Sequence, residues 1–118
     1  MPNYSENSSK MLGTCDSDLI RLFTEVIKYR DNIITCGHRG KVAQNAAYRD
    51  GNSDFEYPDS AHNKTISRAV DAIPYPIDYH DRERLLEFRG FVYGVASQMN
   101  IKLKRTIPWD LPHYELTE

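Results

Sequence analysis

Ser67-Arg68-Ala69-Val70-Asp71-Ala72-Ile73-Pro74 is the stretch whose reading decides the fold class. Ala69 to Ile73 is short and apolar, and it reads as a strand. Pro74 and Pro76 end it, because proline has no N–H to give a sheet ladder. A carboxylate, Asp71, stands in the middle of this segment. Buried alone it would cost several kcal/mol, so a cation must neutralise it. An ion pair with Arg39 or Arg68 would do so, and so would a metal; the residues alone leave the two readings level.

On either side of this strand the periodicity is helical. Asp16-Ser17-Asp18 opens a helix whose Leu19, Leu22, Phe23, Val26 and Ile27 share one face. The longest helix is expected from Arg82 to Met99, with a core stripe of Leu85, Phe88, Val92, Val95 and Met99. Gly90 and Gly94 each weaken that helix by about 1 kcal/mol relative to alanine, and the expectation is that they permit close approach of the sheet. A further helix is read over Lys41 to Arg49, with Val42, Ala43, Ala46 and Ala47 as its packing face and Gly51 as its stop. The β-branched run within Asn32 to Cys36 is a strand that ends at Gly37, which puts Arg39 just beyond a strand end. Ile101-Lys102-Leu103 begins another strand. This mixture of helices and short strands gives an α+β class.

A chain of 118 residues fits one domain spanning 1–118, with 1–15 expected to be loosely packed. With 15 basic against 17 acidic residues and a net charge of −2, nothing supports a nucleic-acid partner. The polar start lacks a signal-peptide core, and no apolar run approaches the roughly 20 residues of a membrane span. The expected protein is a cytoplasmic monomer without membrane insertion, whose Cys15 and Cys36 stay reduced. Cys36 and His38 could share a strand face as a nucleophile pair, but no third group orients them.

The C-terminal stretch Trp109-Asp110-Leu111-Pro112-His113-Tyr114-Glu115-Leu116 carries the second half of a candidate site. A strand should begin at or after Pro112, with His113 and Glu115 on one face and Tyr114 and Leu116 on the other. His62, in Ser60-Ala61-His62-Asn63, supplies another imidazole. Two nitrogens and the Asp71 oxygen suit a catalytic zinc that keeps its fourth position open. Asp110, in the loop before the proline, stands where a general base would. Glu115 is suited to hydrogen-bonding the His113 imidazole and orienting it. Trp109 reads as packing or as a substrate contact.

Ser60-Ala61-His62, Ala69-Val70-Asp71 and Asp110-Leu111-Pro112-His113 together resemble the zinc peptidases that include D-Ala-D-Ala carboxypeptidases and phage L-alanyl-D-glutamate endolysins. Those enzymes show Ser-x-His, Ala-x-Asp and Asp/Glu-x-x-His in the same order. Gly37-His38-Arg39 followed by Gln44 is similar to their Gly-aromatic-Arg segment with a following Gln, with His38 in the aromatic position. The resemblance implies a hedgehog/DD-peptidase-like fold with a small, largely antiparallel sheet. It further implies Zn2+ held by His62, Asp71 and His113, with Asp110 activating water and Arg39 stabilising the oxyanion. The implied substrate is a peptidoglycan stem peptide, most closely at an L-alanyl-D-glutamate bond, and reaching the wall would then depend on release by something else. A carboxypeptidase, or a zinc-containing module that binds wall peptide without cutting it, are the alternatives. Residues 50–61 lack periodicity and are expected to rim the cleft. Asp54, Glu56 and Asp59 there are either a solvated acidic loop or a lure for a cationic diamino acid. The family's Gly-Gly-Asp-Trp-like segment is absent before Asp110, which implies a shorter groove.

Overall fold

The structure is a computed structural model that describes residues 2–105 and 110–117. In chain order the elements are α1 (Glu6–Leu12), α2 (Ser17–Val26), β1 (Asn32–Cys36), α3 (Lys41–Arg49), a 3-10 turn (Ala61–Asn63), β2 (Ala69–Pro74), α4 (Arg82–Gln98) and β3 (His113–Glu115). Side-chain caps open three of the helices. Ser5 Oγ accepts the Ser8 amide, Asp16 Oδ1 accepts the Asp18 amide, and Asp81 Oδ1 accepts the Arg84 amide. Each satisfies a backbone donor that a helix leaves unpaired at its start.

The strands form an antiparallel sheet in the order β1-β2-β3. Its register determines the site. Asp71 lies opposite Cys36 on one side and opposite His113 on the other, and a register irregularity between Ile34 and Cys36 brings Cys36 into line. Pro112 joins the ladder only as an acceptor, taking the Ala72 amide at 3.0 Å.

One face of the sheet is covered by α2 and α4. Val70, Ala72 and Tyr114 pack there against Leu19, Leu22, Phe23 and Val26 from α2 and Phe88, Val92 and Ala96 from α4. The Tyr114 ring meets Phe23 and Phe88 edge-on, with centroids 5.4 and 6.5 Å apart. Burial of each large apolar side chain here stabilises the fold by about 1.5–3 kcal/mol.

Four expectations are corrected. The N-terminal segment is packed, not loose: α1 lies against β1, Ser8 and Leu12 are buried, and Ser8 Oγ accepts the Ile34 amide at 3.1 Å. So short a helix is held by its tertiary contacts, which local sequence does not display. In α3 the alanine face is not the packing face. Val42 is 86% exposed while Gln44 is fully buried, because the Gln44 amide ties down the following loop. Gly90 and Gly94 are exposed, and a Cβ on either would meet nothing within 4 Å, so they mark no close approach. Leu103 makes a single bridge to Leu116 rather than opening a strand, although the Lys104 amide and Lys102 carbonyl also pair with the chain beside it. Among the described residues no helix is long and apolar enough to cross a membrane.

Candidate metal centre

His62 sits in a turn built to hold it still. Ser60 Oγ accepts the His62 amide at 3.2 Å, and Asn63 Oδ1 accepts the Ser60 amide at 3.0 Å, a reciprocal cap. Asn63 Nδ2 then donates to the Arg39 carbonyl at 2.8 Å and to Gln44 Oε1 at 3.1 Å. The His62 carbonyl accepts the Arg39 amide at 2.8 Å. Ser60 and Gln44 therefore act as braces: Ser60 holds the histidine turn, and Gln44 fastens that turn to the loop through Ser53 Oγ and the Phe55 carbonyl.

The imidazole nitrogens divide cleanly between support and site. His62 Nδ1 lies 2.8 Å from the Gly37 carbonyl, which can only accept, so Nδ1 carries a proton. In the neutral ring Nε2 is then the lone pair. His113 is arranged the other way round: its Nε2 lies 2.9 Å from Glu115 Oε1, which leaves Nδ1 free. Each ring thus turns its free nitrogen to one point, where a hydrogen-bonded partner fixes the tautomer.

At that point three donors converge. His62 Nε2, His113 Nδ1 and Asp71 Oδ1 are each 3.2 Å from the other two. Tetrahedral zinc with bonds of about 2.0–2.1 Å needs donors roughly 3.3 Å apart. Three lone pairs so close repel one another unless protons or a cation lie among them, and the donor set therefore fits a divalent metal. Cys36, His62 and Asp71 also offer ligand atoms within 4.8 Å of one another. Cys36 Sγ, however, lies 3.8 Å from His62 Nδ1, the nitrogen already donating to Gly37. The set that includes His113 is tighter and uses the free nitrogen.

Without a metal, protons hold the cluster together. Burial opposes a charge on His62, yet hydrogen bonds to Asp71 and Cys36 outweigh it and push its pKa up to about 10. Burial likewise disfavours the Asp71 carboxylate, but hydrogen bonds from His113 and His62 hold it well below the usual range. His113 is raised on balance, its burial offset by Asp71 and Glu115. Burial raises the Asp110 pKa from its ordinary value against the pull of the His113 charge. These shifts have one cause, the burial of several ionisable groups within hydrogen-bond reach of one another.

The cleft has a volume of about 230 Å³, and Arg39, His62, Asp71, Asp110, His113 and Glu115 all line it. Asp110 and His113 are joined by a turn in which the His113 amide donates to the Asp110 carbonyl at 3.2 Å. Residues 52–55 also line the cleft, as do Lys104 and Arg105; Asp54 is among the lining residues, but Glu56 and Asp59 are not. Arg39 reaches Asp71 only at 3.9 Å. The alternative Arg68–Asp71 pair does not form, since Arg68 bonds to Asp16 and to the Thr117 carbonyl. His38 is exposed and is no partner for Cys36, whose sulfur faces His62 instead. Trp109 and the expected shortening of the groove before Asp110 lie outside the described residues. Cys36 was the neighbour that sequence reasoning missed, because only the strand register puts it opposite Asp71.

No family model matches the chain, and no curated protein matches it in sequence. Among solved structures it is similar to the crystal structure of the Serratia marcescens L-Ala D-Glu endopeptidase ChiX. The TM-score is 0.79 at 21% identity, over 98% of this chain and 90% of that one. The two share a fold. The expected α+β architecture with a small antiparallel sheet is therefore the one observed.

Proposed function

We propose that the chain is a zinc-dependent peptidase of peptidoglycan stem peptides, acting as an L-alanyl-D-glutamate endopeptidase. The observation that carries this reading is the convergence of His62 Nε2, His113 Nδ1 and Asp71 Oδ1 at mutual distances of 3.2 Å in an open cleft. The fold likeness to an L-Ala D-Glu endopeptidase supports the choice of substrate. A zinc ion held by these three residues would polarise a peptide carbonyl and make water acidic enough to lose a proton near neutral pH.

The chain's own groups supply the rest. Asp110 takes the proton of the attacking water and returns it to the leaving amine as the C–N bond breaks. Its raised pKa suits both halves of that transfer. Arg39, largely buried beside the cluster, balances the negative charge that develops on the carbonyl oxygen, worth roughly 3 kcal/mol at comparable sites. Glu115 holds the His113 ring in place.

Zinc-loaded protein incubated with peptidoglycan, with and without chelator, tests the reading when the fragments are identified by mass spectrometry and N-terminal analysis. New D-glutamyl N-termini that vanish with chelator are expected. Asp110→Ala should keep stoichiometric zinc and lose turnover by about 10²–10⁴-fold. Released D-alanine would move the assignment to a carboxypeptidase, and bound zinc with nothing cut would favour a wall-binding module.

A further inference from the structure

The carbonyl that fixes the His62 tautomer belongs to Gly37, one residue past the end of β1. That carbonyl and the His38 N–H form one planar peptide group, in which a trans bond points the two in opposite directions. Both ends of the group are held. The carbonyl accepts from His62 Nδ1 at 2.8 Å, and the N–H donates to Thr14 Oγ1 at 2.8 Å. Holding the N–H therefore aims the carbonyl.

Thr14 is itself fixed from several sides. Its hydroxyl donates to the Met11 carbonyl at the end of α1, at 2.6 Å. Its own carbonyl accepts the Ser67 amide at 3.0 Å, and the Asp16 amide donates to the Ser67 carbonyl at 2.9 Å, which ties the segment to the lead-in of the Asp71 strand. Gly37 lies directly against this brace. A Cβ there would come within 2.2 Å of the Met11 carbonyl oxygen and 2.4 Å of Thr14 Oγ1. No side chain fits between the peptide and the residues that hold it.

We infer that Thr14 is a positioning residue for the metal centre: through the Gly37–His38 peptide it holds the His62 imidazole with Nδ1 occupied and Nε2 presented to the ion. This rests on the proposed role of His62 as a zinc ligand. It makes the N-terminal helix part of the site's construction although no residue of that helix lines the cleft. Thr14 is exposed, so a valine there leaves no deeply buried group unpaired and the fold should survive.

The test measures zinc affinity by competition with a chromophoric chelator. Thr14→Val is expected to bind zinc about tenfold more weakly, the lower end of the loss seen when a partner that orients a ligand is removed. Thr14→Ser should stay within about twofold of wild type, because it keeps the hydroxyl. Thr24→Val is the control: Thr24 Oγ1 makes a similar bond, to the Ile20 carbonyl at 2.6 Å, on α2 away from the cleft, and its affinity should not change. Equal affinities for Thr14→Val and Thr24→Val would overturn the inference. A second readout is solvent exchange of the His62 Nδ1 proton by NMR. Protection in wild type, lost in Thr14→Val, supports the brace; a fast-exchanging or missing proton in wild type overturns it even if Thr14→Val does not fold. Should wild type bind no zinc, the metal reading falls, while the exchange experiment still decides the brace.

Discussion

Neighbouring residues of β2 and β3 live under opposite rules. Val70, Ala72 and Tyr114 face the helices and are almost fully buried among apolar groups. Asp71, His113 and Glu115, one step along the same strands, face the cleft and bond to one another. The helix-side face is stable unconditionally, since removing it from water is favourable at any pH. The cleft face is stable only conditionally, because its converging donors need protons or a metal between them. Substitutions on the two faces should therefore fail in different ways.

The largest effects come from one residue on each face. His113→Ala removes a donor and should weaken zinc binding by more than about 100-fold, beyond the loss typical of changing a ligand's partner. In the metal-free protein it should cost less stability than an apolar truncation, because Asp71 loses one hydrogen-bond partner but keeps His62. Phe23→Ala should cost about 3–5 kcal/mol of unfolding free energy, yet the folded fraction should still bind zinc stoichiometrically. Denaturant melts and zinc titrations of both variants check this. If chelator-treated His113→Ala were as unstable as Phe23→Ala, the two faces would not be separable.

A smaller effect is expected from pH. His62 has a folded pKa of about 10, above its unfolded value. Its contribution is fully present below about 6.5 and is lost as pH rises through the folded value. Asp71 is depressed, so its contribution is present above about 3.9 and is lost as pH falls through its folded value. The cleft face of the metal-free protein should thus be most stable between about pH 4 and 6.5. A zinc ion bound as proposed would have to displace those protons, so the stability it adds should grow as pH rises. Melting temperatures with zinc and with chelator, taken at acid and alkaline pH, should diverge toward alkaline pH; convergence there would contradict the metal assignment.

How much of this was legible follows the same division. The helix-side face obeys periodicity: Leu19, Leu22, Phe23 and Val26 on α2, Tyr114 on β3 and Leu116 just past its end are buried where the pattern places them. His62, Asp71, His113, Asp110 and Arg39 could be picked out by residue type and by motif order, and the structure brings them to one cleft. The relations that hold them there could not be seen. Cys36 reaches Asp71 through a register irregularity. Gln44 is buried for its amide rather than for apolar area. The seven-residue α1 has no signal of its own strong enough to separate it from a loose end. All three depend on contacts between segments distant in sequence.

The sharpest test of the contrast has the smallest effect. Tyr114 is the largest side chain of the apolar face, and its hydroxyl is buried with no hydrogen-bond partner among the described residues. Burial raises its pKa, so it stays neutral. A buried hydroxyl left unpaired costs about 1–3 kcal/mol, whereas its removal without change of shape is close to neutral or stabilising. Tyr114→Phe keeps both edge-on aromatic contacts and the Arg89 guanidinium, whose carbon lies 5.5 Å from the ring centroid. It should raise unfolding free energy by about 1 kcal/mol in a denaturant melt, with zinc affinity unchanged. A loss of stability would mean that this hydroxyl is bonded in solution, and that polar constraint reaches through the sheet to the face assigned here to packing alone.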